Sequence, residues 1–373
     1  MKKLLSLLLL FTFVFVLGAC EESSSESGAT ANSGEKVSLR ISSGLPDTHQ
    51  WMIGYFNPML EEMKEKLGDQ LDYTLFTSGE LVATREELEA LNSGTIDVAI
   101  PIHPIYDAER FPLAEVTMLP ILNSDVSIAT TAFENLLNSE EELKDGMSYR
   151  ELVYEKNGLK VFPMVSTQPY KISTTKKEIK SADDLKGLKL RSGARVHDLF
   201  VNNIGASPIS LPFTDLYDGL SKGTLDGSLL AIPDWSSYGI ESLFKYTIEG
   251  INLGHYSALT AMTMEKWNSL PPEVQVAFEE TTKSELQTGI DNWLKVNDEV
   301  IKTSTEEGGK FVNLTDLDSD LQKTLNSAIE KTWLQWIDDV ESQGYPAKKV
   351  AIMWRDLLID AGGAVPESIM NIK

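Results

Sequence analysis

The chain has 373 residues, 33 Lys and Arg against 56 Asp and Glu, and a formal net charge of −23. That balance argues against nucleic acid as a partner and against tight docking to anionic lipid heads, because polyanions and the chain repel each other. A single cysteine rules out an internal disulfide, and the four histidines (His49, His103, His197, His255) lack zinc-site spacing, so no metal or cofactor is expected.

Met1-Lys2-Lys3 is a short basic start, followed by a mostly apolar run from Leu4 to Leu17. The run falls short of the ~20 residues a membrane span needs. It ends in Leu17-Gly18-Ala19-Cys20, which reads as a bacterial lipobox. Residues 1–19 are then a lipoprotein signal peptide and Cys20 is the lipidated residue. An ordinary signal peptide with an incidental cysteine, or an uncleaved anchor, is the plainer alternative. Residues 20–36, rich in Ser, Gly, Ala and Glu, read as a flexible tether. Losing Lys2 and Lys3 with the signal takes the net charge from −23 to −25. The expectation is an extracytoplasmic body, lipid-anchored on the periplasmic side or outer face of the cytoplasmic membrane and touching the membrane through that anchor only. About 335 residues remain for it, two domains on the usual scale.

Val37–Ser42 alternates as a strand, a turn lies at Gly44–Asp47, and Trp51–Leu67 has helical spacing of Met52, Phe56, Met59, Leu60 and Met63. Asp72–Phe76 is the next strand, Thr84 precedes a helix over Arg85–Asn92, and Val98–Ile102 follows. This is βαβαβ, a doubly wound lobe. His49, Gln50 and Trp51 follow its first strand and His103 its third, where a cleft would open; a lone loop histidine is also an ordinary structural residue.

An echo comes later. Glu89–Ile100 and Asp218–Leu229 share a helix end, a Gly-Thr stop, an apolar residue, an Asp and a strand. Two lobes on one plan would explain it. In the second, Ser181 caps a short helix Ala182–Leu185, Leu188–Arg191 is a strand, and Ala194 to about Asn203 is helical. A strand at Ser207–Leu211 and a helix Asp215–Ser221 capped by Thr214 come next, then a strand from Leu225. Arg191 therefore sits where a strand runs out, the end at which open α/β sheets bind ligands. A guanidinium there suits a carboxylate, which it can hold with two parallel hydrogen bonds. It also suits a salt bridge that anchors its own loop.

Tyr246–Leu253 and Tyr256–Met264 are strand-like. Leu270-Pro271-Pro272 opens one helical pattern running to about Glu307, about 50 Å at 1.5 Å per residue and long enough to cross both lobes. Helices from about Asp318 to Ser342 and Ala347 to Ala361 close the chain, with Trp333, Trp336 and Trp354 read as core.

These features together resemble a solute-binding protein of the tripartite ATP-independent periplasmic (TRAP) transporters, of the dicarboxylate-binding type. The resemblance runs from Leu39 to about Gly344. It is most specific in Asp184-Leu-Lys-Gly-Leu-Lys-Leu-Arg191, in Gly205-Ala-Ser-Pro-Ile-Ser-Leu-Pro-Phe-Thr-Asp-Leu-Tyr217 and in Gly223–Gly227. Ser93–Asp97, Phe111-Pro-Leu, Leu119-Pro120 and Trp267–Pro272 support it.

The resemblance implies an α/β protein of two doubly wound lobes, periplasmic-binding-protein-like, joined by crossing strands near 166–172 and 253–258 and by a lobe-spanning helix. Lobe I would be 37–168 plus about 256–300, and lobe II 169–255 plus about 301–373. It implies a receptor, not an enzyme, that closes on a small organic acid and delivers it to integral-membrane TRAP permease subunits. The ligand-pairing arginine falls on Arg191, a second basic position on Lys171, and the ring that packs on the ligand on Phe213. Many members follow Asp-Gly with Gln-Glu-Asn-Pro; here Leu230 stands at the Asn, so Trp235, Ser236 or Tyr238 would replace the lost polar contact. A less polar acid, with an apolar or ring portion, fits that change. The alternatives are a binding lipoprotein of an ATP-driven importer, a chemoreceptor accessory protein, and an extracytoplasmic hydrolase. Against the hydrolase, the sequence has no G-x-S-x-G elbow and no H-E-x-x-H.

Overall fold

The computed structural model describes residues 36–373, so Cys20, the signal peptide and nearly all of the tether lie outside the described residues. β1 (Val37–Ser42) leads through a π-helical turn (Met52–Phe56) into α1 (Asn57–Leu67), then β2 (Leu71–Phe76), α2 (Glu87–Asn92) and β3 (Val98–Ile102). α3 (Val126–Asn138) and α4 (Tyr149–Val153) precede β4 (Leu159–Pro163) and β5 (Lys171–Thr174). β6 (Lys189–Ser192), α5 (Arg195–Asn203), β7 (Ser207–Ser210), α6 (Leu216–Ser221), β8 (Gly227–Leu230) and α7 (Asp234–Ser237) follow. The rest is β9 (Tyr246–Glu249), β10 (Leu259–Thr263), α8 (Met264–Ser269), α9 (Pro272–Ser284), α10 (Leu286–Glu306), β11 (Lys310–Asn313), α11 (Ser319–Ser342) and α12 (Ala347–Asp360), before a last turn of helix at Glu367–Met370.

The strands form two sheets, in the orders β2-β1-β3-β10-β4 and β11-β9-β5-β8-β6-β7. Within them β1 lies parallel between β2 and β3, and β6 lies parallel between β7 and β8. The expected pair of doubly wound lobes is what the chain builds.

The echo is structural. Asp97 N–H donates to the Arg40 carbonyl while its carboxylate accepts from Arg40 N–H; Asp226 does the same with Lys189. Gly94 and Gly223 end their helices at φ 68° and 71°, where a side chain is strained. Ile41 stands opposite Val98 as Leu190 stands opposite Gly227. The match therefore extends to Arg40-Ile-Ser-Ser-Gly44 and Lys189-Leu-Arg-Ser-Gly193, a likeness the sequence reading passed over.

The chain passes between the sheets three times: from β4 to β5, from β9 back to β10, and from β10 through α8–α10 to β11. The first two passages pair with each other, Thr167 N–H to the Tyr256 carbonyl at 3.0 Å and Tyr170 N–H to that of Gly254 at 3.0 Å. α10 packs on the π-helical turn at one end and on β11 at the other, so it is the spanning helix.

Several local expectations are corrected. The single helix to Glu307 is two, broken at Glu285 (φ −85°, ψ −1°), not at Gly289. Gly289 stays helical, and a Cβ there would press on Val165. Thr214 caps nothing, and a 3-10 turn at Phe213–Asp215 opens α6; the helix expected from Arg85 starts at Glu87, because Arg85 takes φ 87° with its N–H satisfied by the Glu87 side chain. Ser181 does cap its turn, reciprocally with Asp184. The strands expected over 246–253 and 256–264 shrink to β9 and β10, because the residues between them form the second crossing passage. Trp333, Trp336 and Trp354 are fully buried, α11 packs on α5, and α12 packs on α3. Among the described residues no helix is long and apolar enough to cross a membrane.

Candidate functional site

The carboxyl ends of β1, β3, β6 and β8 and the two paired passages converge on one tight, largely enclosed cavity. The first sheet contributes Leu45, His49 and Trp51 after β1, and His103, Ile105 and Tyr106 after β3. The passages supply Thr167, Tyr170 and Tyr256. The second sheet contributes Arg191, Gly193, Phe213, Leu230, Asp234 and Tyr238.

Arg191 is the third residue of β6 and only 1% exposed. Its Nε donates to the Leu211 carbonyl at 3.0 Å, and its Nη1 is buried with no partner. The guanidinium lies against Gly193, where an added Cβ would stand 3.1 Å from Nη1. Among the described residues no carboxylate lies within salt-bridge distance of it. A permanently charged group without a counter-ion is costly to bury. Among the described residues the loop-anchoring alternative has the bond to the Leu211 carbonyl but no salt bridge.

Rings from both lobes close around it. Phe213 stacks on Tyr238 at 5.0 Å, and His103 stacks on Tyr106 and Tyr256 at 5.5 and 5.8 Å. His103 also reaches Phe213 at 6.0 Å and His49 reaches Tyr238 at 5.7 Å, so first-lobe and second-lobe rings touch. His103 Nδ1 bonds Glu87 Oε1 at 2.8 Å, a buried pair that fixes the ring and leaves Nε2 without a protein partner. His49 Nδ1 accepts from Trp51 N–H at 3.2 Å. Burial, with His103 nearby, pushes the His49 pKa down to about 3, so the ring is neutral. Asp234 is 4% exposed, and burial pushes its carboxyl up to about 7 while Arg191 pulls the other way.

Of the residues expected at the site, Arg191, Phe213, Tyr238, His49 and His103 line the cavity; Lys171, Trp235 and Gln50 do not. Lys171 follows Tyr170, and neighbours on an extended chain face opposite ways. Its ammonium pairs with Glu249 at 3.0 Å and donates to the Ile251 carbonyl, away from the rings. Trp235 follows Asp234 on α7, whose i, i+4 positions Asp234 and Tyr238 share the cavity face. The indole instead fills the second sheet's core against Phe244 and Phe311. Gln50 bridges the lobes outside the cavity, donating to Ser236 Oγ at 3.4 Å and accepting from Asn292 at 3.1 Å. Tyr106, Tyr170, Tyr256 and Asp234 were missed. The crossing passages, expected as the connection between the lobes, also line the cavity. Among the described residues no three His, Cys, Asp or Glu side chains gather to hold a metal.

Residues 41–336 match the family described as bacterial extracellular solute-binding protein, family 7. The chain belongs to that family. Its members are receptors, and the family carries the expected link to TRAP transport. The monocarboxylate 2-oxoacid-binding periplasmic protein of Nostoc sp. is 25% identical over 282 residues, 74% of this chain and 73% of that one. The C4-dicarboxylate-binding protein of Rhodobacter capsulatus is 24% identical over 225 residues, 59% and 63% of the two chains. Two solved TRAP solute-binding proteins share the fold. A marine metagenome protein crystallised with 3-hydroxybenzoate matches at TM-score 0.77 and 21% identity, over 88% of this chain and 100% of its own. One from Rhodoferax ferrireducens with copurified benzoate matches at 0.75 and 19%, over 87% and 98%.

Proposed function

We propose that this family member captures a small ring-bearing carboxylate by lobe closure and hands it to the integral-membrane subunits of a TRAP permease. The observation that carries the reading is the buried Arg191, with one Nη unpartnered in an aromatic enclosure. A carboxylate is the group that such a fork accepts, and each charge-assisted bond contributes roughly 1.5–3 kcal/mol once water is excluded. Phe213, Tyr238, His49 and His103 are the side chains assigned to the organic part, with Leu230 giving an apolar wall where a polar contact would suit a dicarboxylate. Lys171 is held by Glu249, which leaves a single free cation among the assigned residues and favours a monocarboxylate. Benzoate and 3-hydroxybenzoate in the two structural neighbours fit the same chemistry.

The lobes are taken as 37–168 with about 256–300, and 169–255 with about 301–373, with α12 lying against α3 of the first. Closure about the paired passages brings the rings of both lobes together, and a ligand that prefers the closed form shifts the population towards it. Cys20 is proposed as the lipid attachment that keeps the receptor beside its permease; Cys20→Ser should then move it from the membrane to the soluble fraction.

A thermal-shift screen tests the ligand class. Benzoate or another ring acid should raise the Tm most, a C4-dicarboxylate less, and a neutral sugar not at all. The largest shift from a sugar, or turnover of any solute, overturns the reading.

A further inference from the structure

Within the cavity the Asp234 side chain meets one charged or titratable partner, His49. It caps no helix with its side chain, and Arg191 lies outside salt-bridge distance. Among the described residues its buried Oδ1 has no hydrogen-bond partner, and His49 Nε2 stands 3.5 Å from it, in ion-pair contact without a hydrogen bond. His49 spends Nδ1 as acceptor for Trp51 N–H, so the hydrogen of the neutral ring is on Nε2, on the side of Asp234. A lone carboxyl in an apolar enclosure destabilises the fold unless something arrives to satisfy it.

We propose that Asp234, backed by His49, is the specificity residue of the cavity: it receives a hydrogen-bond donor carried by the ligand, so the preferred cargo is a carboxylate that also bears a hydroxyl or an ammonium. This rests on the carboxylate reading above and adds the second pole of the ligand. The charge arithmetic favours such a pole. The charged and titratable groups that act on Asp234 are Arg191 from β6, His49 from the loop after β1, and the hydroxyls of Tyr238 on its own helix and Tyr170 on the crossing passage. When a ligand carboxylate neutralises Arg191, Asp234 becomes the uncompensated anion. It must then take a proton from solvent, or face a donor on the ligand. An unsubstituted acid offers only the first course. The rise of the Asp234 pKa to about 7 agrees, because the group sits at the edge of ionisation before any ligand enters. Trp51 and Tyr238, which flank His49 at 5.1 and 5.7 Å, give the donor apolar walls and make its unpaired alternative costly.

The experiment is calorimetry on the full chain with benzoate, 3-hydroxybenzoate and 3-(aminomethyl)benzoate. At least one of the two donor-bearing acids should bind about tenfold or more tighter than benzoate, the scale of one hydrogen bond to a charged group. Which of them does so separates a hydroxyl from an ammonium source. In Asp234→Asn, close in shape, that ratio should fall below about threefold; Asp234→Ser supplies the same ratio if the Asn variant does not fold. Equal binding of all three acids by the natural chain, or a ratio that survives in the variants, overturns the assignment of Asp234 while leaving the carboxylate reading standing. Failure of every carboxylate alongside binding of a neutral solute overturns both.

Discussion

Ser42 and Arg191 hold the same position in two copies of one β-α-β-α-β unit. Ser42 stands opposite Ala99 in the first sheet and Arg191 opposite Ser228 in the second, each followed by Ser-Gly at the carboxyl end of the central parallel strand. One copy offers a small hydroxyl and the other a guanidinium. Of these two equivalent positions only Arg191 lines the cavity.

Arg191→Ala should abolish the ligand-induced rise in Tm and weaken carboxylate binding by about 100-fold or more, the loss of two charge-assisted bonds. The unliganded fold should hold, since the one hydrogen bond from Arg191 to the backbone among the described residues is that to Leu211. Arg191→Lys should recover part of the affinity without the fork geometry. Thermal shift and calorimetry read both, and undiminished binding by Arg191→Ala would remove the arginine from the site.

Acid should destabilise the protein between about pH 6.5 and 4. His49, His197 and His255 are buried and pushed down to about 3, 4 and 4, so the unfolded chain takes up their protons first. Their contribution is present above pH 6.5 and lost as the pH falls. Asp234 has the opposite sign: its contribution is present at low pH and lost as the pH rises through about 7. Glu115 and Asp198, also raised by burial, share the sign of Asp234, while the lowered carboxyls of Asp97, Glu178 and Asp184 side with the histidines, so the net change on acidification is a fall. Urea melts at stepped pH check it, and Asp234→Asn should steepen the acid side.

Gly254→Ala should be strongly destabilising. The residue sits at φ 80° in the crossing passage, and an added Cβ would stand 2.4 Å from the Met118 backbone. Strain and overpacking together cost about 2–4 kcal/mol. A denaturant midpoint equal to that of the natural chain would contradict the close packing of the passage on residues 112–118.

Arg195→Ala leaves Glu115 buried without its cation. Glu115 is 0% exposed, accepts from Arg195 at 2.6 Å and from Trp336 Nε1 at 3.3 Å, and its pKa is raised by burial against the pull of Arg195. Removing one partner of a buried pair costs about 3 kcal/mol. Arg195→Ala with Glu115→Gln should recover much of that loss, measured by thermal melts.

How much of this could be read from residues alone varies with the reach of the physics. The G-T-[I/L]-D echo and the placement of Arg191 depend on local alternation, helix stops and strand ends, and those survive in one dimension. The break at Glu285 does not, because nothing in Ser284-Glu285-Leu286 disfavours helix; the bend belongs to how α9 and α10 pack on different parts of the fold. Lys171 against Tyr170 is a matter of strand parity, set by which face meets the cleft. Gln50 needed Asn292 and Ser236, remote partners that only the folded chain brings to it. Asp234 looked like an unremarkable acid beside a tryptophan, since its meaning comes from burial.

The threefold passage between sheets also governs when the protein can finish folding. The first sheet lacks its central-to-edge link until residue 263 has emerged, and the second lacks its outer strand until residue 313. A nascent or truncated chain ending earlier carries open strand edges that can pair with other molecules. Each half is completed only by a strand that follows the other half's strands in the chain, so a prematurely terminated product is an aggregation hazard and not a half-receptor.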